Sequence, residues 1–236
     1  MSPQVLIIGA GLSGLACALK LQAAEISFFL LEASDAPGGR VRTDEIDGFL
    51  LDRGFQVYLD AYPEAGRILD LPALDLRPFS PGALVFHRGK MHRVMDVFRR
   101  PGSLVPSALA PIGTISDKLV NNVCVLSDVS RAYAPPGQHL ISVSVLGLND
   151  RPDLPAAVID ELAAWFGPEV RAWRHLRTDR IEHALPEQLP GGGKFPSLTP
   201  GLHLCGDYLT SASIEGAIVS GHETAESLIR HFHRTT

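Results

Sequence analysis

Cysteine, positive charge and long apolar runs are all scarce in this sequence. The three cysteines, Cys17, Cys124 and Cys205, are odd in number and far apart, which excludes a disulfide framework and a CxxC metal site. We expect each to be a small buried apolar residue, as in a protein of the cytoplasm. The 21 Lys and Arg are outnumbered by 26 Asp and Glu, and the resulting net charge of −5 disfavours binding to nucleic acid.

The longest nearly uncharged apolar stretch runs from Val5 to Leu19 and is interrupted by three glycines, so it is too short for a transmembrane helix. No basic region precedes it, and a buried strand that enters a turn explains it better than a signal peptide does. Hydrophobic residues make up 45% of the 236 residues and charged residues 20%, which is ordinary globular composition. The chain can therefore bury a core.

The order of apolar patterns predicts an α/β fold. A strand over Gln4–Ile8, a helix over Leu12–Ala23 and a strand over Ile26–Leu31 form a βαβ unit with a parallel strand pair. The patterns further along the chain predict a hairpin over Ala83–Val94, paired strands over Val120–Leu126 and Ile141–Val145, a helix over Leu154–Phe166, a basic surface strand over Arg171–His183, a strand over Leu202–Cys205 and a last helix over Ser213–His231.

A GxGxxG motif, Gly9-Ala10-Gly11-Leu12-Ser13-Gly14, follows the first strand and opens the first helix. In a dinucleotide site Gly9 permits the tight turn, Gly11 lets the backbone approach a pyrophosphate, and Gly14 allows close packing of helix on strand. Glu32 ends the second strand at the offset expected of an acid that binds a ribose hydroxyl. The alternative is a glycine-rich turn without a ligand.

A second glycine segment, Gly38-Gly39-Arg40, follows the ribose acid. Its glycines would let the backbone approach a ligand, and the Arg40 guanidinium would bind phosphate.

Three segments together resemble the N-terminal signature of the FAD-dependent amine oxidase, phytoene desaturase and protoporphyrinogen oxidase superfamily. They are residues 7–15, Leu31-Glu32-Ala33 and residues 38–43. Near the C-terminus, residues 204–207 and 214–221 are similar to the second flavin motif of that superfamily. The resemblance implies that Gly206 and Asp207 bind the ribityl and pyrophosphate part of FAD. It also implies that the helix beginning with Ile214, Gly216 and Ala217 points its N-terminus at the flavin. In isolation, Asp207 could instead cap a helix.

The resemblance implies a Rossmann-like FAD-binding domain with a central parallel sheet and additional antiparallel strands. We expect a single domain over residues 1–236, assembled from an N-terminal half (1–119) and a C-terminal half (120–236). Superfamily members carry a long insertion before the strand at Val120, whereas here Lys118 and Leu119 run almost straight into it. The substrate domain is therefore expected to be largely absent, and the surface it would cover should cause pairing or aggregation.

The implied function is hydride transfer from a small or hydrophobic organic substrate (an amine, polyene or porphyrinogen) to FAD, with an electron acceptor such as dioxygen. Ser213 stands where monoamine oxidases have an aromatic residue, which disfavours a simple amine substrate. No cysteine lies between Glu187 and Leu204, so we expect the FAD to be noncovalent. No catalytic residue is assigned.

Two other hypotheses remain at this point. The first is a flavin-binding or structural remnant that catalyses nothing because its substrate domain is absent. The second is an NAD-dependent dehydrogenase, which shares the GxGxxG motif but is disfavoured by Gly38-Gly39-Arg40 and Gly206-Asp207.

The remaining charged groups suggest no further site. The nine histidines form no HExxH or similar metal motif. Arg174, Arg177 and Arg180 could face phosphate or lie on a solvated strand, and the second interpretation is favoured.

Overall fold

The computed structural model describes residues 4–54, 57–79, 83–87, 90–94, 119–187 and 198–235. The chain divides into two compact units. The first contains residues 1–44, 52–75 and 181–236, and the second contains residues 45–51 and 76–180. The prediction of a single domain built from halves 1–119 and 120–236 stays a prediction, although the first unit does combine segments from both ends of the chain.

The predicted βαβ unit is confirmed in the first of these units. Strand β1 (Val5–Ile8), helix α1 (Leu12–Ala23) and strand β2 (Phe28–Leu31) follow one another, and the two strands pair in parallel with Val5 opposite Phe28. The second strand begins at Phe28 and not at Ile26, because the Ile26 N–H donates to the Leu21 carbonyl at 3.0 Å and so belongs to the turn after α1. Among the described residues the parallel sheet contains these two strands alone.

Helix α5 (Ile214–Thr235) packs along α1. It begins one residue after the predicted start of the last helix and continues four residues beyond the predicted end. A Cβ on Gly221 would lie 2.2 Å from the Ser13 carbonyl oxygen, so only glycine allows this close approach of the two helices. The core beneath them contains Ile7, Cys17, Ala18, Leu21, Ile26, Ala225 and Leu228, all buried. The strong apolar stripe of α5 and its charged opposite face explain why it lies on the surface of this core.

The predicted strand over Leu202–Cys205 is wrong. These residues adopt no regular structure, and two α5 side chains bond to the backbone there. The Gly206 N–H donates to Ser220 Oγ at 3.0 Å, and Thr224 Oγ1 donates to the Leu204 carbonyl at 3.0 Å. The apolar residues of this segment indicated a strand, but polar side chains one helical turn apart supply the bonds that a neighbouring strand would supply.

The first unit also contains the four-residue helix α2 (Ala65–Ile68). Strands β3 (Thr43–Ile46) and β4 (Phe49–Asp52) form a two-stranded sheet, of which residues 45–51 belong to the second unit.

In the second unit, β5 (Ala83–His87) and β6 (Lys90–Val94) form the predicted hairpin, with Ala83 opposite Val94. The turn residues Arg88 and Gly89 lie outside the described residues.

Strands β7 (Val120–Val125) and β8 (Ile141–Val145) pair in antiparallel fashion, as the alternating pattern predicts. The short helix α3 (Leu126–Val129) follows β7, and helix α4 (Leu154–Phe166) follows β8 with the predicted bounds. Gly167 ends α4 at φ +108°, a conformation that favours glycine. Val120, Leu162 and Val170 are almost fully buried and form the core between α4 and the sheet.

The predicted surface strand over Arg171–His183 is wrong. Residues Pro168–Ala172 form a short 3-10 helix, and no strand follows up to residue 183. Pro168 fixes φ at the start of this helical turn, and the spacing of the basic residues after it gives no indication of such a turn. All three arginines lie in ion pairs. The pairs of Arg174 with Asp47 and of Arg180 with Asp150 are exposed, whereas Arg177, which pairs with Asp179, is half-buried.

The parallel sheet of the first unit buries one face only. Ile7 is buried against the helices, whereas Leu6, Ile8, Phe29 and Leu31 on the opposite face are between 52% and 82% exposed. Parallel sheets are normally covered on both faces. We name these four side chains the open sheet face.

No helix in the described part of the chain is long and apolar enough to cross a membrane.

Candidate cofactor site

The GxGxxG turn has the geometry that the sequence predicts for it. Gly9 has φ +98°, which favours glycine, and a Cβ on Gly14 would lie 2.0 Å from the Gly9 carbonyl oxygen. A Cβ on Gly11 would instead meet nothing within 4 Å. Gly9 and Gly14 are therefore required by the fold itself, whereas Gly11 leaves open space at the N-terminus of α1, where unpaired N–H groups favour an anion.

The second glycine segment lies directly against this turn. The Gly38 N–H donates to the Ala10 carbonyl at 2.8 Å. Gly38 has φ +116° and Gly39 φ +58°, and a Cβ on Gly39 would lie 3.2 Å from the Gly11 Cα. Two glycine segments separated by most of the βαβ unit thus form one surface of bare backbone.

Glu32, at the end of β2, accepts three hydrogen bonds. Its carboxylate accepts from the Ala10 N–H at 2.6 Å, from the Ser34 N–H at 2.8 Å and from Ser34 Oγ at 2.7 Å. These donors favour the charged form and lower the pKa of Glu32 to about 2, with the Ser34 N–H as the largest cause. The carboxylate is exposed and stays ionised at neutral pH, as a group that binds ribose hydroxyls must be. Ala33 follows it in the turn.

Arg40 joins the two ends of the sequence. Its guanidinium donates to Asp207 Oδ2 at 2.6 Å and to the Ala184 carbonyl at 2.7 Å. Asp207 is buried, so this charge-assisted bond compensates the removal of its carboxylate from water. The side chain of Asp207 is therefore bound to Arg40, which argues against a mere helix cap. The role of Arg40 toward phosphates stays a prediction.

Two α5 side chains that the sequence analysis did not single out hold the Asp207 loop. Ser220 is buried, and its Oγ accepts from the Gly206 N–H, while Thr224 bonds to Leu204 one turn further along the helix. A serine and a threonine four residues apart lie on the same face of a helix, but the sequence around them does not indicate which backbone groups that face meets.

The first turn of α5 is fixed by its own cap. Ser213 Oγ accepts from the Gly216 N–H at 2.9 Å, as an N-cap serine does. A Cβ on Gly216 would lie 2.0 Å from the Ser211 carbonyl oxygen, so the preceding loop can cross the helix only at a glycine. Ile214 is partly buried and Ala217 is buried.

All the predicted cofactor residues lie in the first unit. Hydrogen bonds join the GxGxxG turn to Gly38 and join Arg40 to Asp207. Helix α1 packs on α5, and Leu12 and Ile214 at their first turns pack on the same apolar cluster. The described residues contain no group of three or more His, Cys, Asp or Glu placed to hold a metal ion.

The thiols are not reactive groups. Cys17 is buried as predicted, whereas Cys124 and Cys205 are only half-buried. Burial raises the pKa of Cys17 to about 11 and also raises the pKa of the other two above the ordinary value. Each thiol therefore stays protonated at neutral pH.

Comparison with known proteins agrees with this geometry. A family model described as "Flavin containing amine oxidoreductase" matches two overlapping segments of the chain, residues 12–119 and 110–229, which together cover most of it. The chain belongs to the flavin containing amine oxidoreductase family. The resemblance found in the sequence is therefore confirmed, and the FAD that it implies is the cofactor of this family.

Relatives in the family match over short segments. Phytoene desaturase (lycopene-forming) of Pantoea ananas is 52% identical over 54 residues, which are 23% of this chain and 11% of that protein. Protoporphyrinogen oxidase 2 of Arabidopsis thaliana is 37% identical over 67 residues, 28% of this chain and 13% of that protein. Coproporphyrinogen III oxidase of Staphylococcus aureus is 28% identical over 137 residues, 43% of this chain and 29% of that protein. The chain thus spans less than a third of the length of each of these relatives.

The titration of Glu32 tests the bonds at the end of β2. Because folding lowers its pKa from about 4.5 to about 2, the contribution of Glu32 to stability is complete above pH 4.5 and is lost as the pH falls to 2. A carbon-13 NMR titration of the carboxyl group should give a midpoint near pH 2. Ser34→Ala removes one donor and should raise that midpoint, and a wild-type midpoint above pH 4 would contradict the three bonds.

Proposed function

We propose that this chain binds FAD noncovalently and belongs to an oxidoreductase that transfers hydride from an organic substrate to the flavin. The observation that carries the proposal is the open space at Gly11. A glycine is not needed there by the fold, and the space faces the N-terminus of α1 beside the bare backbone of Gly38 and Gly39. A pyrophosphate is the group that such a surface fits.

The residues divide into an adenosine side and a flavin side. Gly9, Gly11 and Gly14, with the Leu12 and Ser13 N–H groups, would hold the pyrophosphate, and the ionised Glu32 beside Ala33 would accept hydrogen bonds from the ribose. On the flavin side, we assign Gly206 and Asp207 to the ribityl chain and the first turn of α5 (Ile214, Gly216, Ala217) to the flavin ring. The positive end of α5 would favour the reduced, anionic ring. When bound, FAD would supply the hydride acceptor.

One position, Ser213, supports a proposal on the substrate class. Ser213 accepts a hydrogen bond from the Gly216 N–H, so it serves as the cap of α5. A cap serine leaves no aromatic side chain at this point to enclose a small amine. We propose a hydrophobic substrate of the polyene or porphyrinogen type, with dioxygen or another small molecule as the electron acceptor.

Gly11→Ala and Gly14→Ala separate ligand binding from folding. At Gly11, φ is −73° and the added methyl group meets no protein atom, so the free energy of unfolding should stay near wild type while FAD binds about tenfold more weakly or worse. At Gly14 the methyl group meets the Gly9 carbonyl, so the protein itself should lose about 1–3 kcal/mol of stability.

Urea unfolding and titration with FAD measure the two quantities. Unchanged FAD affinity in Gly11→Ala would contradict the assignment of this turn to the pyrophosphate.

The inactive remnant is distinguished by electron transfer. Under anaerobic conditions, the 450 nm band of bound FAD should bleach when a polyene or porphyrinogen substrate is added, and it should recover when air is admitted. Dithionite serves as the control that the flavin can be reduced at all. A flavin that dithionite bleaches and every candidate substrate leaves oxidised would favour the remnant.

We also propose that copies of this chain pair through the open sheet face. Its four side chains are large, apolar and contiguous on β1 and β2, and such a patch favours association. Light scattering should then give twice the 25.4 kDa mass of one chain. Leu6→Asp should restore the monomer, whereas Leu185→Asp, at an even more exposed leucine elsewhere, should not. A monodisperse wild-type monomer would contradict the pairing.

The cytoplasm is the proposed location, supported by three unpaired thiols, which are typical of a reducing compartment. The net charge of −5 disfavours nucleic acid as a partner.

A further inference from the structure

A segment with two tyrosines packs on the same apolar cluster as the first residues of α1 and α5. In this segment, residues 57–69, Tyr58 and Tyr62 pack edge to face with their ring centroids 5.6 Å apart. They belong to an apolar cluster around buried Ala16, Ala65 and Ile218, to which the first residues of both helices, Leu12 and Ile214, also contribute. We name residues 57–69 the tyrosine segment.

One carboxylate binds this segment to α5. Glu215 Oε1 accepts from the Glu64 N–H and Glu215 Oε2 accepts from the Ala65 N–H, both at 2.9 Å. The two donors begin helix α2, whose first N–H groups have no partner within the helix. Glu215 is the second residue of α5, so the contact connects the start of α5 to a segment about 150 residues earlier in the sequence.

The apolar contacts of the tyrosine segment bury one polar group, the Tyr58 hydroxyl, without giving it a hydrogen-bond partner. The Tyr58 hydroxyl is buried and makes no hydrogen bond to any residue that the structure describes. A buried hydroxyl without a partner costs free energy, so this placement needs a compensating interaction. The paired bonds to Glu215 are charge-assisted and supply it.

We propose that Glu215 is a positioning residue of the cofactor site, which acts by holding the tyrosine segment beside the N-termini of α1 and α5. These N-termini are the ends assigned to the pyrophosphate and to the flavin ring, so the proposal rests on the proposed function. The segment forms a wall of the site, and Glu215 determines where that wall lies.

The chemistry requires a carboxylate at this position. Two backbone N–H groups face the side chain, and a carboxylate offers two acceptor oxygens. In Glu215→Gln the amide offers one oxygen and turns its NH2 group, itself a donor, toward the second N–H. In Glu215→Ala both N–H groups lose their partner. The two variants should therefore show a graded loss.

Glu64 provides a matched control. Its backbone N–H takes part in the contact, but its carboxylate points to Arg67 and lies 4.0 Å from His222 Nδ1. Glu64→Gln removes one negative charge from the same cluster and leaves both bonds to Glu215 in place. Any effect of Glu215→Gln that Glu64→Gln lacks thus comes from the hydrogen bonds and not from the charge.

Hydrogen exchange in the protein without added FAD tests the contact. The Glu64 and Ala65 amides should exchange about tenfold faster in Glu215→Gln than in wild type, and faster still in Glu215→Ala. Glu64→Gln should exchange at the wild-type rate. Equal rates in all four proteins would overturn the proposal, and this result does not depend on FAD. If Glu215→Ala fails to fold, Glu215→Gln alone decides.

Circular dichroism of the bound flavin tests the positioning. At saturating FAD, the visible bands of wild type and Glu64→Gln should coincide. Those of Glu215→Gln should be reduced or inverted, with FAD affinity about tenfold lower.

A purely structural role would lower stability and leave the bands of the bound flavin unchanged, and that result would overturn the proposal. A wild-type protein that binds no FAD would refute the proposed function, whereas FAD binding with normal bands in Glu215→Gln would refute only this inference.

Discussion

The close contact between α1 and α5 is the constraint on which the first unit depends. Gly221 allows the two helices to approach so closely that any side chain there would meet the Ser13 carbonyl. This contact brings the C-terminal segment to the N-terminal glycine turns. As a consequence Arg40 reaches Asp207 across 167 residues of sequence, and Glu215 reaches the tyrosine segment across a similar separation. Helix packing therefore brings the parts of the candidate site together, and charge-assisted hydrogen bonds hold its loops in place.

Sequence patterns correctly predicted the helices and strands whose backbone hydrogen bonds lie within the element or join it to the next strand along the chain. The bounds of α1 and α4 agree with the sequence because capping glycines and a regular apolar spacing mark them. The parallel pair follows from two apolar runs on either side of a helix, and the pairing of β7 with β8 follows from the alternation of polar and apolar residues in β8. The prediction of a strand over Leu202–Cys205 was wrong because Ser220 and Thr224 supply the hydrogen bonds to this part of the backbone. No local sequence pattern reveals those bonds. The prediction of a strand in the basic stretch after Pro168 was wrong for a related reason, because Arg174 and Arg180 are held by Asp47 and Asp150, which lie elsewhere in the sequence.

The sequence predicted those parts of the candidate site in which a motif requires one particular backbone geometry. The Gly9 turn, the close packing at Gly14 and the position of Glu32 at the end of the second strand all follow from spacing after a strand. The membership of the family confirms the resemblance that those motifs carried. Ser220, Thr224 and the function of Glu215 were not predictable, because each acts through a backbone group far away in the sequence.

The central claim is that the two ends of this chain assemble a noncovalent FAD site. The visible absorption spectrum of the purified protein, recorded before and after denaturation, tests it most directly. A yellow protein with a flavin spectrum, whose chromophore appears in the supernatant as FAD after denaturation, is the predicted result. A colourless protein that cannot be reconstituted with FAD, or one that releases NAD, would contradict the account.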